Sequence, residues 1–459
     1  MPILSSCRIK AKLMPLLAIM TFQVFAAQQV TLEQAITLAQ QNDPWSKGND
    51  LKQSAIEARS IASLALADPK VSISATNLPT DNWDFDQEAM TQLKVGVSQM
   101  LPRGDVLKIK SAQLTTEAEK FPLLNANRNA QVEKQVTQLW LDAYLAQKTI
   151  RLINDDKGLF EQMVDIAKAS YSTAVGKTRQ QDVIRAQLEL LRLDDRLVTE
   201  QQKLETAKAG LSEWFYQSNQ ENSSFYFQDA ISNFSVDNTL PHLSLSNGQW
   251  LKNNTPSKSE LAQLLVNHPV VLAVDVKQKV AKQGVELAQQ QYQPQFGVNA
   301  SYAYRDNAPN GTDRSDFFSV GVTFDLPLFT KNKQDKVVSA SMADAEAINT
   351  EKLLLVRNMI AEVEKELRNL NRLSQRQTLY KSQLIKQTHE QAEAALTAYT
   401  NDDGDFAEVV RARIAQLNTT IAKVNIDVDA LKTVSRLNYF LIPSTNNHLA
   451  SSSELSDVK

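Results

Sequence analysis

Two alternating stretches, one in each half of the chain, limit what it can fold into. Residues 71–77 read V-S-I-S-A-T-N and residues 296–302 read F-G-V-N-A-S-Y, each just after a proline, Pro69 and Pro294. The prolines lie 294 − 69 = 225 residues apart. The same offset relates Pro44 to Pro269, Gly96 to Gly321 and Pro102 to Pro327. Landmarks recurring at one spacing mark a tandem duplication. Each copy holds one alternating hairpin inside a long helical pattern.

The hairpin partners are equally plain. Residues 93–98 read L-K-V-G-V-S and residues 318–326 read F-S-V-G-V-T-F-D-L. Val71, Ile73 and Ala75 face one way, with Ser72, Ser74 and Thr76 the other. Val320, Val322 and Phe324 likewise alternate with Ser319, Thr323 and Asp325. Tyr302, Tyr304, Phe317 and Phe318 are expected as an aromatic girdle at a membrane interface. A soluble sheet with one buried face would share the alternation; export and the surrounding helices favour a membrane barrel. An open sheet edge cannot face lipid, and the smallest lipid barrels have about eight strands. Two hairpins per chain therefore require several chains.

Around the strands the pattern is helical. Thr31 with Gln34 reads as a capping box opening a helix over residues 31–67. Residues 105–171 keep three-four spacing through Val132, Val136, Leu139, Ala143, Ala146, Ile150, Ile153, Phe160, Val164, Ala167 and Tyr171. As one helix this would be roughly 100 Å long at about 1.5 Å per residue. Gly176 breaks it. From Asp182, Val183, Leu190, Leu197, Leu204 and Leu211 recur every seventh residue, the mark of a coiled-coil return. The second copy repeats this: helix over 261–293, helix over 332–399, a break at 401–405, and a return seam of Val410, Ile414, Leu417, Ile421, Val424, Val428 and Leu431. The expected organisation is a first repeat over 28–216, a connector over 217–258 with a short strand near 225–227, a second repeat over 259–442 and a disordered tail over 443–459.

Residues 1–27 read as a secretory signal peptide. Arg8, Lys10 and Lys12 precede a mostly apolar run that ends at Ala26 or Ala27. Without those three cations the formal charge goes from −3 to −6, which disfavours a nucleic-acid partner. Cys7 is the only cysteine, so the mature chain is expected to have no disulfide or thiol chemistry. Leu4-Ser5-Ser6-Cys7 resembles a lipobox but lacks a preceding apolar run. His242, His268, His389 and His448 share no ligand spacing, and Met90 and Met100 read as packing or surface, so no metal or cofactor is expected. No phosphate loop or nucleophile elbow suggests an enzyme.

Specific motifs then resemble a known family, the TolC-type outer-membrane efflux proteins of Gram-negative bacteria. Asn42-Asp43-Pro44 and Asn267-His268-Pro269 resemble its helix-breaking N-x-P. Leu101-Pro102 and Leu326-Pro327-Leu328-Phe329 resemble its strand-ending motif. Tyr171 to Gly176 with Asp182-Val183-Ile184-Arg185-Ala186, and Tyr399 to Gly404 with Glu408-Val409-Val410-Arg411-Ala412, resemble its helix-turn-helix tips. The resemblance covers residues 30–442. It implies a mainly α chain with a β-barrel part: a homotrimer with a twelve-stranded barrel in the outer membrane and an α-helical tunnel through the periplasm. It also implies a periplasmic adaptor and an inner-membrane pump beneath. Residues 67–79 and 96–104 most resemble the outer-membrane components of heavy-metal resistance-nodulation-division (RND, Czc/Cus-like) pumps; multidrug export is the alternative. A structural periplasmic coiled coil would leave the paired strands unexplained.

The resemblance also implies a gate at the helical tips, lined by acidic residues. The matching positions are Asp182 and Glu408, while the family's second acidic position in the later repeat falls on Arg411. Asp402, Asp403 and Asp405 crowd the adjoining break. Repeated around a symmetry axis, such carboxylates would select cations. The plainer reading is solvated helix-tip acids and N-caps. Asp182–Arg411 or Glu408–Arg185 is the expected latch between neighbouring hairpins.

Overall fold

The computed structural model describes residues 28–172, 180–221, 224–229, 234–246, 256–401 and 403–442. The expected signal peptide, Gly176, Asp402 and the tail lie outside the described residues.

Strand β1 (Gln28–Val30) leads into α1 (Leu32–Asn42). The capping box forms: Gln34 N–H donates to Thr31 Oγ1 at 3.2 Å, and Thr31 N–H donates to Gln34 Oε1 at 3.1 Å. The span expected as one helix over 31–67 is two. Pro44 has no N–H to continue α1, so Asp43 closes it and caps α2 (Pro44–Ala62). Helix α2 ends short of Ala67 because its last bonds tighten to three-residue turns, Leu64 N–H to Ile61 O and Ala65 N–H to Ala62 O.

Strands β2 (Lys70–Thr76) and β3 (Gln92–Met100) follow, then α3 (Val106–Ala118) and α4 (Lys120–Ser172). The single helix expected over 105–171 is therefore broken at Glu119. Pro122 is the cause: it cannot bond to the Ala118 carbonyl and its ring crowds that oxygen. Helix α4 alone, at 53 residues, is roughly 80 Å long. It packs along α5 (Gln180–Phe215). Val132, Val136, Ala143, Ile153, Phe160 and Val164 are buried as the heptads require. Tyr171, expected on the seam, is exposed.

The connector holds an antiparallel hairpin, β4 (Tyr216–Glu221) and β5 (Ser224–Asp229), and β6 (Phe234–Val236), which pairs in parallel with β1. In the second copy α6 (Lys258–Leu265) and α7 (Pro269–Gln289) precede β7 (Gln295–Tyr304) and β8 (Phe317–Asp325). Helix α8 (Gln334–Leu379) then runs through one π turn (Tyr380–Leu384) into α9 (Ile385–Thr400), and α10 (Phe406–Phe440) returns. This helix, continuous over residues 334–400, is the unbroken rod of roughly 100 Å that the first copy lacks. Pro327 to Tyr399 spans 72 residues where Pro102 to Tyr171 spans 69. The π turn, one residue wider than an α turn, takes up part of the difference.

The four long strands form one antiparallel sheet in the order β2-β3-β7-β8. Above it α2 packs on α3, α3 on α7 and α7 on α8, so the helices keep the strand order. Among the described residues three apolar clusters hold the helices: one around Trp140, Tyr144 and Phe215, one toward the tips around Phe160, Val164 and Val410, and one in the second copy around Leu265, Val271 and Leu367.

Candidate functional site

The sheet sorts its residues by face. Val71, Val97, Ala300 and Val320 lie in one row; Ile73, Val95, Tyr302 and Phe318 lie in the next. Extending the register adds Ala75, Leu93 and Tyr304 at one end and Val298, Val322, Phe296 and Phe324 at the other. Only Gln99 interrupts this apolar face. Its side chains are open in the single chain, with Ile73 73% and Phe318 71% exposed. From Phe296 to Tyr304 the band runs roughly 26 Å at about 3.3 Å per residue, close to the apolar height of about 25 Å of an outer-membrane barrel. Phe317 departs from the expected girdle. Paired with Ala303, it lies on the opposite face, where the Arg305 guanidinium sits 4.5 Å from its ring.

That opposite face is small and polar: Ser72, Ser74, Gly96, Ser98, Asn299, Ser301, Ser319 and Gly321. It is also crowded, as the concave side of a curled sheet must be. A Cβ on Gly297 would lie 2.6 Å from Met100 Sδ and 2.7 Å from Thr323 Oγ1. The base of the sheet is tied across the duplication. Arg103 pairs with Asp325 and donates to Gln293 O at 3.1 Å, while Asp325 Oδ1 accepts the Gln295 N–H at 2.7 Å. At the other end Arg305 donates to Ala89 O at 2.8 Å, and Arg314 to Asp86 O at 3.1 Å, binding the two hairpin loops together. No local pattern in the sequence marks these arginines, because their spacing to the loop carbonyls exists only after folding.

At the far end the two helical tips share one apolar cluster, through Ala167 and Ala186 from the first copy and Val409 and Val410 from the second. The α9–α10 turn is tight. Asp403 N–H bonds to Ala398 O at 3.0 Å, and a Cβ on Gly404 would lie 2.6 Å from Tyr399 N, so only glycine fits there. The Tyr399 and Phe406 rings meet edge to face at 5.5 Å. Asp405 is the N-cap of α10, its Oδ1 accepting the Ala407 N–H at 3.3 Å. Asp182 is 5% exposed, with Oδ1 3.9 Å from Nη1 of Arg185 on its own helix. Asp403, Glu408, Arg185 and Arg411 are exposed, and among the described residues neither Glu408 nor Arg411 makes an ion pair. The plainer reading thus describes Asp405, while Glu408 and Arg411 remain available to a neighbour. Asp402 lies outside the described residues.

Among the described residues no three His, Cys, Asp or Glu side chains are grouped to hold a metal ion, and no helix is long and apolar enough to cross a membrane.

Comparison with known proteins follows the same lines. Residues 261–441 match the family described as outer membrane efflux protein. No curated protein sequence matches the chain. Among solved structures, CusC aligns with TM-score 0.68 and 13% identity over 89% of this chain and 91% of its own. VceC from Vibrio cholerae aligns with TM-score 0.67 and 16% identity over 90% and 95%. The CmeC outer membrane channel of Campylobacter jejuni aligns with TM-score 0.68 and 12% identity over 100% and 98%. At these identities the shared property is the fold. The resemblance to TolC-type outer-membrane efflux proteins, drawn from short motifs, therefore extends to a family match in the second repeat and to the fold of nearly the whole chain.

Proposed function

We propose that this chain, an outer membrane efflux protein by resemblance, works as a homotrimeric channel that carries cargo across the outer membrane from a periplasmic adaptor and an inner-membrane RND pump. One observation carries the reading: a four-stranded sheet with one continuous, exposed apolar face and two edges, β2 and β8, that pair with no other strand among the described residues. In lipid both edges must find partners. Successive strands are antiparallel, so β8 of one copy and β2 of the next also run antiparallel, as ring closure needs. Three copies of a four-stranded sheet make twelve strands.

The helices support the same closure. Leu51 and Ile61 on α2, Met342, Leu353 and Leu379 on α8, and Ile184, Leu188, Leu191 and Val198 on α5 are exposed in the single chain. On α5 they recur at helical spacing along one face. A second copy of this chain is the occupant that covers edge helices and edge strands together.

Conductance of the purified full chain in planar bilayers tests the channel. Discrete openings are expected; a protein that stays soluble without detergent and forms no pore would rule it out. For the gate, Arg411→Glu should raise single-channel conductance by breaking a latch to Asp182, and unchanged conductance would remove Arg411 from it. For cargo we propose heavy-metal cations, on the resemblance of residues 67–79 and 96–104, with small-molecule drugs as the second reading. A deletion strain sensitive to metals alone supports the first, and one sensitive to drugs alone the second.

A further inference from the structure

On the concave face of the sheet, charge is scarce and one-sided. Its charged residues are Lys70, Lys94 and Asp325. Asp325 is neutralised by Arg103 at the base. Lys70 and Lys94 make no ion pair among the described residues. Lys94 sits in a row with Ser74, Ala303 and Phe317, so no carboxylate lies beside it in the register. Two residues beyond Ala303, Arg305 adds a third cation at the rim, its guanidinium bonded to backbone carbonyls and set over the Phe317 ring, with the Asp316 carboxylate beside it. The acids of this region, Asp68, Asp81, Asp84, Asp86, Glu88, Asp306, Asp313 and Asp316, all lie outside the strands, with Asp316 beside the start of β8 and bonded to the Arg305 N–H.

We propose that Lys94, seconded by Lys70, makes the barrel interior an anion-preferring filter, so that the strand segment favours anionic or neutral solutes over free cations. This rests on the closed-channel reading above. Each copy contributes the same lysines to one narrow bore, and a ring of like charges in a low-dielectric wall raises the local concentration of the opposite ion. Sidedness follows from the fold. The tips present Asp403 and Glu408 at one end, the barrel presents lysines at the other, and acidic loops cap the mouth. A cation arriving through the tips would meet its electrostatic barrier in the barrel. A metal cargo would therefore pass more readily as a neutral or anionic complex than as a bare ion.

The test is the reversal potential of the full-length channel under a potassium chloride gradient. At about 0.1 M salt, where the screening length is about 10 Å, Lys94→Glu should lower the chloride-to-potassium permeability ratio about fivefold. That is the Boltzmann factor of roughly 1 kcal/mol, the interaction of two unit charges about 4 Å apart in water. Lys94→Gln, nearly isosteric and uncharged, should give a smaller shift of the same sign, and Lys70→Glu a separate one. At about 1 M salt the differences should collapse. Open pores whose ratio ignores both Lys94→Gln and Lys70→Glu would overturn the filter while leaving the channel intact. No pore from the unaltered chain would overturn the channel reading, and the filter with it.

Discussion

The two copies place different chemistry at the same landmark. Before the proline that opens the second helix of each copy stand Asp43 and His268, at the 225-residue offset. Both cap: Asp43 Oδ1 accepts the Trp45 N–H at 3.1 Å, and His268 Nδ1 accepts the Val270 N–H at 3.3 Å. Their supports differ. Asp43, its side chain 4% exposed, is held by Arg128 at 2.6 Å, and that guanidinium also lies over Trp45 and Trp214. His268, 1% exposed, reaches across with Nε2–H to Tyr439 O at 3.0 Å, near the C-terminal end of α10, and meets the Tyr439 ring edge to face. One fold requirement, a capped helix after a proline break, is met once by an ion pair and once by a neutral ring. Duplication preserved the geometry and left the electrostatics free to diverge.

The sharpest way to break the comparison is to remove Arg128. Arg128→Ala leaves a buried carboxylate without its counter-ion and uncovers two tryptophan rings, and should cost about 3 kcal/mol. His268→Ala loses a cap and one hydrogen bond and should cost about 1 kcal/mol. Urea unfolding of the detergent-solubilised protein, followed by far-ultraviolet circular dichroism, would rank the two. Equal losses would mean that the ion pair contributes no more than the neutral cap.

The tip offers the second test. Gly404→Ala puts a methyl group against the backbone of Tyr399 rather than against a movable side chain, so the turn itself must shift. A cost of about 2 kcal/mol is expected, within the usual range for backbone strain. Single-channel recordings should show noisier closures at the same time. A silent Gly404→Ala would mean that the turn relaxes freely and that the glycine of the Tyr399–Gly404 motif serves nothing beyond loop length.

Legibility followed the range of the forces. Strand faces and heptad seams were readable because periodicity is local: Val71, Ile73 and Val320 point where alternation puts them, and Val132 and Leu211 are buried where the heptad puts them. The capping box at Thr31 was readable for the same reason. The break at Glu119 was missed although Pro122 announces it, because the seam runs on in phase across the proline. Phe317 was misplaced by one residue of register, which moves a side chain to the other face. The gate residues were legible only as a motif. Whether Glu408 and Arg411 meet a partner depends on contacts between copies, which no pattern within one chain specifies. In the sequence Lys94 is no more than the polar half of an alternation; its isolation from carboxylates exists only in the register of four strands.

The smallest expected effect is the most selective. Burial pushes the His268 imidazole below its usual range, against a weaker opposite pull from its bond to the Tyr439 carbonyl. Its ordinary value is about 6.5. As pH falls through that value the unfolded chain takes up a proton before the folded one does, so stability drops from about pH 6.5 down to the depressed folded value and no further. The cause is visible. His268 is almost wholly buried, and a second proton on Nδ1 would face the Val270 N–H. Glu133 and Asp156, whose carboxyls burial pushes up, act in the opposite direction at lower pH and would blur a single curve. The difference between the unaltered chain and His268→Asn removes them. Asparagine can still cap through its carbonyl oxygen but cannot titrate. The unaltered chain should lose stability relative to His268→Asn as pH falls from 7 to 5. Parallel curves would mean that the ring stays neutral in both states, and that the two copies differ in chemistry without differing in their response to acid.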